Sequence, residues 1–407
     1  MTILAVNTGS STLKFALYPV HLGKVHAATL SGSFSGLEPR GNATLRWCTQ
    51  DGVDGAAREG SEALQTSTSS ESYRFEAALQ RLQTLLGDFG LAPQLHAIAH
   101  RVVHGGTAYH QAIAVSDEVM RGLQALSPLA PLHQPHNLMG ITLCQRSYPG
   151  VPQVACFDTA FHSTLPEAEY RFALPEALYA QGIRRFGFHG LSYQYLQSVL
   201  RQVSKRSQGP VVMAHLGNGA SLCATVEGRS QATTMGFSAV EGLMMGTRCG
   251  ALDPGVLLHL LSLGWTAQQL EDLLYRQSGL LGVSCVSADM RRLRADASPQ
   301  AQRAIALFEH RIVREIGAMA ACVQGMGVLA FTGGIGEHDA LLRANVCKRL
   351  THLGVALDDA ANAQATGSQV STIHTPDSTV EVWVVPTDEG KVAAQAAADV
   401  LWPTPTI

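Results

Sequence analysis

MTILAVNTGSSTLKFALY (residues 1–18) and VVMAHLGNGASLCATV (residues 211–226) follow one grammar: an apolar run, a turn of Gly, Asn, Ser and Thr, then a second apolar run. Each therefore predicts a β-hairpin with a small-residue tip. When the two are superposed, Ala5, Thr12 and Leu13 stand opposite Ala214, Ser221 and Leu222. Matching hairpins in the two parts of the chain predict two similar α/β halves.

The flanking sequence extends that reading. FEAALQRLQTLLGDFG (75–90) places apolar residues at 75, 78, 79, 82, 85 and 86, the spacing of a helix with one buried face, and a Gly near its stop. LHAIAHRVVHGG (95–106) reads as a buried strand ending in a Gly-rich turn. Residues 301–324 read as a helix leading into the strand of GVLAFTGGIGEH (327–338). EVWVVPTDEGKVAAQAAADVL (381–401) reads as strand, turn and helix, able to cross back to the first half. SEALQTSTSSES (61–72) has a linker's composition, and the break between halves is expected near 155–165. The domains so expected are 1–158 with 386–407, and 159–385.

Composition excludes several classes. The chain's 407 residues are 46% apolar, enough to bury a core, which argues against disorder. With 29 basic and 32 acidic residues the net charge is −3, so bulk charge gives no reason to expect a nucleic-acid partner. The eight cysteines are scattered without a CxxC pair, which reads as reduced and mostly buried thiols. The N-terminus shows no secretory pattern, and the longest apolar stretch, near Val256–Trp265, is too short and interrupted to span a bilayer. A cytoplasmic protein without membrane contact is expected.

The sequence contains no GxxxxGK[ST], no protein-kinase motif set and no GxSxG. GMGVLA (325–330) matches GxGxxA but precedes a strand, so no helix N-terminus follows it to hold a pyrophosphate. Three Gly-rich turns between strands are expected instead, NTGSST, HLGNGAS and FTGGIGEH. Glycines let successive backbone N–H groups converge on an anion, and Ser and Thr add hydroxyl donors. One such tip alone is an ordinary turn. Three on matched halves suit a nucleotide.

Arg101 in AIAHRVVHGG and Arg248 in MMGTRCG each place a guanidinium inside an apolar-to-Gly run, where it must meet a carboxylate or a phosphate. An internal ion pair satisfies either equally well. His133 and His136 in LHQPH, and His104 and His110 in HGGTAYH, have no zinc-like spacing. His189 in RRFGFHG suits a donor facing a ligand, or a core or capping histidine. Asp158 and Glu389 follow strand-like runs, where α/β proteins place site residues, and where an acid also caps helices. Either suits Mg²⁺, which usually takes one or two protein carboxylates beside phosphate oxygens.

Together these motifs resemble the acetate kinase family, short-chain carboxylate kinases of the acetate and sugar kinase/chaperone/actin superfamily. VNTGSSTLKFAL, HRVVHGG, PLHQPHNLMGI, ACFDTAFH, RRFGFHG, HLGNGASL, MGFSAVEGLMMGTRCGALDPG, SADMR, FTGGIGEH and VVPTDEG occur in the family's order, nearly end to end; residues 20–90 are least covered. The resemblance implies an α/β fold of two actin-like (ribonuclease H-like) domains, with mixed sheets flanked by helices and a nucleotide cleft between them. It implies ATP/ADP as substrate, Mg²⁺ (or Mn²⁺) as cofactor, a small carboxylate such as acetate or propionate as partner substrate, and a homodimer. Asn7 and Glu389 would hold the metal. Ser10, Thr12, Lys14, His215, Asn218, Gly219 and Ser221 would lie near the phosphates, and Asp289, Arg291, Gly334, Ile335, Gly336 and His338 near the adenosine. Asp158, Arg101, His189 and Arg248 would carry the chemistry. Val103, Leu132, Phe188 and Ala239 would line the pocket beside Arg101.

The chain departs from the family pattern at Leu191-Ser192-Tyr193 (usually Thr-Ser-His), Ala232 (usually Asp), Ala251 (usually acidic), His338 (usually Asn) and Asp388. Ala239 stands where family members usually carry Pro, so the pocket is expected to admit one more methylene and favour propionate. A nucleotide-operated binding module resembling actin or the heat-shock chaperones shares the phosphate loops. It has no reason to combine Arg101, His189 and Arg248. A kinase for a larger acid such as butyrate would differ only in pocket size.

Overall fold

Both quoted stretches fold as hairpins in the computed structural model, which describes residues 1–49, 57–64, 70–91 and 95–403. β1 (Thr2–Thr8) runs antiparallel to β2 (Leu13–His21), with Ala5 opposite Ala16 and Asn7 opposite Lys14. β10 (Val211–Leu216) runs antiparallel to β11 (Ala220–Val226), with Ala214 opposite Leu222. The chain divides into two units, Met1–Ala160 with Asp388–Ile407, and Phe161–Thr387.

In the first unit the remaining described strands are β3 (Lys24–Val25), β4 (Leu30–Ser35), β5 (Thr44–Thr49), β6 (Arg58–Ala63), β7 (Leu95–Val102), β8 (Ile113–Ala114) and β9 (Gln153–Phe157). They form a sheet in the order β6-β5-β4-β2-β1-β7-β9-β8, with β3 paired to β2. The second unit adds β12 (Arg229–Thr233), β13 (Val328–Thr332), β14 (Ser371–Thr372) and β15 (Glu381–Val384), in the order β12-β11-β10-β13-β15-β14. β1, β7 and β9 are mutually parallel, as are β10, β13 and β15. The order third, second, first, fourth, fifth strand recurs as β4-β2-β1-β7-β9 and β12-β11-β10-β13-β15. Two actin-like units of mixed sheet are thereby built from one plan.

Central strands are mostly apolar because helices cover both faces; β9 and β13 are buried at every position. The helix Glu71–Asp88 buries Phe75, Ala78, Leu79, Leu82, Leu85 and Leu86 against Phe15, Phe34 and Leu45 of the first sheet. These are the six positions its periodicity marks. The helix Glu389–Leu401 packs on β1, β7 and β9 through Val392, Ala393, Ala394, Ala397 and Ala398. Its small residues permit close approach: a Cβ on Gly390 would lie 2.4 Å from the Tyr18 hydroxyl. In the second unit Gly190–Val203 buries Leu196 and Leu200 with β10 and β13 residues, and the long helix Pro299–Cys322 lies against β11.

Three local expectations need correction. The linker-like stretch 61–72 begins inside β6 and ends in the helix Glu71–Asp88, because its Ser and Glu residues pair along β5; residues 65–69 lie outside the described residues. FTGGIGEH joins a strand to a helix, Gly333–His338, and does not join two strands. Gly333 makes that bend with φ +76, where a Cβ would meet the Leu216 carbonyl oxygen at 2.7 Å. Finally, Cys144, Cys156, Cys223 and Cys347 are buried, but Cys48, Cys285 and Cys322 are exposed. All eight thiols are free.

Each unit also buries histidine. His100 on β7 lies 2.6 Å from Gln153 Oε1, and His162 sits between Ser230 Oγ and the Phe188 carbonyl, both at 2.9 Å. Burial pushes each pKa down to about 4. In the unfolded chain both titrate near 6.5, so acid favours unfolding. The stability from keeping them neutral is complete above about pH 6.5 and is lost as pH falls from there towards 4, on the order of 3 kcal/mol for each. Urea unfolding at a series of pH values should show the midpoint falling through this window. The slope should be shallower in His100→Gln.

Candidate active site

Three residues far apart in sequence converge on one guanidinium in the first unit. Arg101, near the end of β7, donates from Nε to Asp158 Oδ1 at 3.1 Å and from Nη2 to Oδ2 at 2.5 Å. Nη1 lies 3.4 Å from Asn7 Oδ1 near the end of β1, and Nε lies 3.6 Å from Glu389 Oε2. The parallel strands β1, β7 and β9 bring Asn7, Arg101 and Asp158 to their carboxyl ends, where open sheets place ligands. Glu389 arrives on the first turn of the helix that packs on those strands. Asp158 is fully buried. Burial opposes the charge of Arg101, but Asp158 and Glu389 outweigh it and raise its pKa further. The internal ion pair that sequence allowed is thus present. It leaves Nη1 as the edge of the guanidinium not committed to Asp158.

In the second unit His189 and Arg248 come together over Gly219. A Cβ built on Gly219 would lie 2.9 Å from Arg248 Nη2 and 3.3 Å from His189 Nε2, so only glycine fits there without displacing one of them. Arg248 is held by a bond from Nη1 to the Ala239 carbonyl at 2.7 Å. His189 takes the N-cap position of the helix Gly190–Val203 at φ +58, an unfavourable conformation for a residue with a side chain, and makes no capping bond. Its Nδ1 instead meets Ser221 Oγ at 2.8 Å, and its ring stacks on His215 at 4.1 Å. Ser221 is fully buried. The HLGNGAS loop is tied to the next segment by Gly246 N–H to the Asn218 carbonyl at 3.0 Å.

The other expected residues are placed as follows. Ser10, Thr12 and Lys14 sit on or beside the β1–β2 turn, with Ser10 and Lys14 exposed. Gly9 N–H closes that turn onto the Thr12 carbonyl at 2.8 Å. Asp289 caps a short helix and pairs with the exposed Arg291 at 2.6 Å, which holds its carboxyl below the usual range. Gly334, Ile335 and Gly336 lie in the helix after β13, and His338 Nδ1 is 2.6 Å from the Thr366 carbonyl. Val103 and Phe188 are buried, Leu132 and Ala239 half-buried. The extra charge of Asp388 caps the helix Glu389–Leu401, accepting from Lys391 N at 3.0 Å and from the Tyr18 hydroxyl at 2.6 Å.

Two supporting residues escaped the sequence reading. Glu337 Oε1 accepts from Thr332 Oγ1, Gly333 N and Thr387 N at 2.9–3.1 Å, clamping the third Gly-rich loop. Arg343 is fully buried and spends all its bonds on Asn362 Oδ1 and on the carbonyls of Gly336, Glu337, Asn362 and Ala365. Nothing in ALLRANVCK separates such an arginine from one on a solvated face. Among the described residues no cluster of three or more His, Cys, Asp or Glu is placed to hold a metal ion. The carbonyl of Asn7 and the carboxylate of Glu389 are hard oxygen donors, the set that fits Mg²⁺ when phosphate oxygens supply the other ligands.

Replacing Arg101 with Leu would strip the bidentate partner from the buried Asp158. Breaking such a pair costs roughly 3–5 kcal/mol. Denaturant unfolding should show a loss of that order, whereas an exposed pair such as Arg276–Asp272 should give under about 1 kcal/mol.

Sequence and structure comparisons identify the family. The Acetokinase family matches residues 2–395. An acetate kinase of Rhodopseudomonas palustris is 45% identical over 397 residues, which are 97% of this chain and 96% of that protein. A propionate kinase of Francisella tularensis superposes with a TM-score of 0.87 at 32% identity, covering 97% of this chain and 98% of the other. Porphyromonas gingivalis acetate kinase superposes with a TM-score of 0.83, also at 32% identity, covering 98% and 99%. With its two actin-like units and a full-length match to these kinases, the chain belongs to the acetokinase family.

Proposed function

We propose that this chain is an acetate kinase that moves the γ-phosphoryl group of ATP reversibly onto acetate, giving acetyl phosphate and ADP. The observation that carries the reading is the convergence of Asn7, Asp158 and Glu389 on Arg101, four residues the family resemblance assigns to this chemistry. In the transfer, a carboxylate oxygen of acetate attacks the γ-phosphorus as the bond to the β-phosphate oxygen breaks. The electron pair leaves with ADP. No proton has to be removed, because acetate is already an anion.

The difficulty is bringing that anion to a triphosphate and stabilising charge on the equatorial oxygens of the moving group, a task for fixed cations and donors. In this reading Arg101 grips the carboxylate, and Asp158 holds the guanidinium in one orientation. Arg248 and His189 donate to the transferring phosphoryl group. Ser10, Thr12, Lys14, His215, Asn218 and Gly219 serve the phosphates, with Ser221 behind them. Asp289, Arg291, Gly334, Ile335, Gly336 and His338 border the adenosine. Asn7 and Glu389 would hold Mg²⁺, or Mn²⁺ in its place, which neutralises phosphate charge when bound. The free thiols and the ATP chemistry agree with a cytoplasmic setting.

Trapping acyl phosphate with hydroxylamine, from purified protein with ATP and Mg²⁺, tests this directly. Acetate should give multiple turnovers of hydroxamate, and none with acetate, propionate or butyrate would sink the reading. The small side chain at Ala239, whose carbonyl anchors Arg248, favours a pocket that also accepts propionate. Ala239→Pro should lower kcat/KM for propionate relative to acetate by roughly tenfold, within the ~1–3 kcal/mol that one methylene is worth.

We also assign a homodimer, formed through the helix Pro254–Ser262. None of that helix is buried, and Val256, Leu258 and Leu261 on it, with Leu252 and Leu263 beside its ends, expose 39–68% of their surface. Exposed large apolar side chains clustered in this way are characteristic of an interface, and a patch that pairs with its own copy closes a twofold dimer. Light scattering should give twice 43.3 kDa for the native chain. Leu258→Glu with Leu261→Glu should shift it to the monomer mass.

A further inference from the structure

His189 can present a donor at Nε2 only if its ring proton sits there, and a neutral imidazole carries its proton on either nitrogen. The nitrogen that keeps it is set by the bond made at the other one. Here the other nitrogen, Nδ1, meets a hydroxyl, Ser221 Oγ at 2.8 Å, which by itself can donate or accept. What decides is the next group inward. Tyr193 Oη lies 2.5 Å from the same Ser221 Oγ, and its ring is fully buried against His162 and Phe161.

We propose that Tyr193 is a positioning residue that fixes the tautomer of His189 through Ser221, so that Nε2–H is the nitrogen presented over Gly219. The inference rests on the carboxylate kinase reading for its functional meaning, but not for its geometry.

The direction of the chain follows from counting protons. Among the described residues, Ser221 Oγ at 2.5 Å is the hydrogen-bond partner of the buried Tyr193 Oη. A phenol has one proton to give, and Ser221 Oγ is the acceptor within reach. Burial pushes the phenol's pKa well above its usual value, which keeps that proton in place. Ser221 Oγ, having accepted, directs its single proton to His189 Nδ1. Nδ1 must then be bare and Nε2 protonated. Run in reverse, the phenol would accept from Ser221 Oγ and its own proton would be buried without an acceptor, which such a site does not tolerate.

Tyr193 is one of the departures from the family pattern, where histidine is usual, and the departure is compatible with this task. A phenol has one proton and a fixed direction, whereas an imidazole at the same place would bring a tautomer choice of its own. The same geometry explains why Ser221 is fully buried although it belongs to a loop assigned to phosphates. Its hydroxyl faces inward, between Tyr193 and His189, and leaves backbone groups of the loop to meet an anion.

The test is the nitrogen NMR spectrum of the native protein labelled at histidine, at a pH where His189 is neutral, with its signals identified by their loss in His189→Gln. The expected spectrum has Nε2 protonated and Nδ1 bare. In Tyr193→Phe, which keeps the buried ring, Nδ1–H should gain population. In the same variant kcat should fall about tenfold, short of the 10²–10³ for losing a donor outright, with KM for ATP changed less than about twofold. A native His189 carrying its proton on Nδ1 overturns the proposal. So does a Tyr193→Phe variant that folds with both spectrum and kcat unchanged. Should that variant not fold, the native spectrum decides alone. If the native protein makes no acyl phosphate, the function reading fails while the tautomer is still read.

Discussion

Arg101 carries a half-buried guanidinium to the end of β7, where it meets the fully buried carboxylate of Asp158, and charges so placed have to be answered within the protein or held by a ligand. The answer is assembled from every central piece of the first unit. Asp158 directly follows β9, Asn7 is next to last in β1, and Glu389 opens the helix laid across both. For those groups to reach one guanidinium, the three strands must be parallel and in register, and the last helix must lie close against them. The Ala-rich face of Glu389–Leu401 supplies that closeness, and Asp388 and Tyr18 fix where its first turn begins. A weak interaction could not impose such order. A buried charge can, because leaving it unanswered costs several kcal/mol.

The second unit solves a different problem. Its loops turn many backbone carbonyls inward, and arginine, with five donors in a rigid fork, satisfies them in groups. Arg343 gathers four carbonyls and an amide oxygen beneath the Gly333–His338 helix, and Arg185 takes the carbonyls of Glu169, Thr233, Thr234 and Met235. With the loops so braced, His189 is held in a left-handed backbone conformation and Gly219 is pressed close beneath Arg248. The conformational cost at His189 is offset by the bonds its side chain makes, and it is concentrated where a fixed donor is useful.

Much of this was legible in the chain. The two hairpins were readable because a strand's periodicity and a small-residue tip are local properties, and so was the helix Glu71–Asp88, whose six apolar positions marked by its period are all buried. The residue types of the site were readable too, since a guanidinium among apolar residues announces that it needs a partner. Where reading failed, the deciding partner was remote. FTGGIGEH has the composition of a turn, but Glu337 reaches back to Thr332 and Gly333 and coils it into a helix. The stretch 61–72 has a linker's composition, yet β5 offers its first three residues an edge. Arg343 sits in a sequence that fits a solvated helix, and its acceptors lie up to 22 residues away.

Sequence by itself therefore determined the elements, the duplicated plan and the chemical kinds of group the protein would use. These depend on backbone dihedral preference and on which side chains avoid water, and both are carried by neighbouring residues. The tertiary structure alone decided which groups face each other: that Arg101 meets Asp158 and Glu389 together, that Ser221 turns inward to Tyr193, and that His189 and Arg248 share the space above Gly219. The physical reason is that a buried polar group takes its state from the partner that replaces water, and that partner is chosen by packing across the whole unit, not by position along the chain.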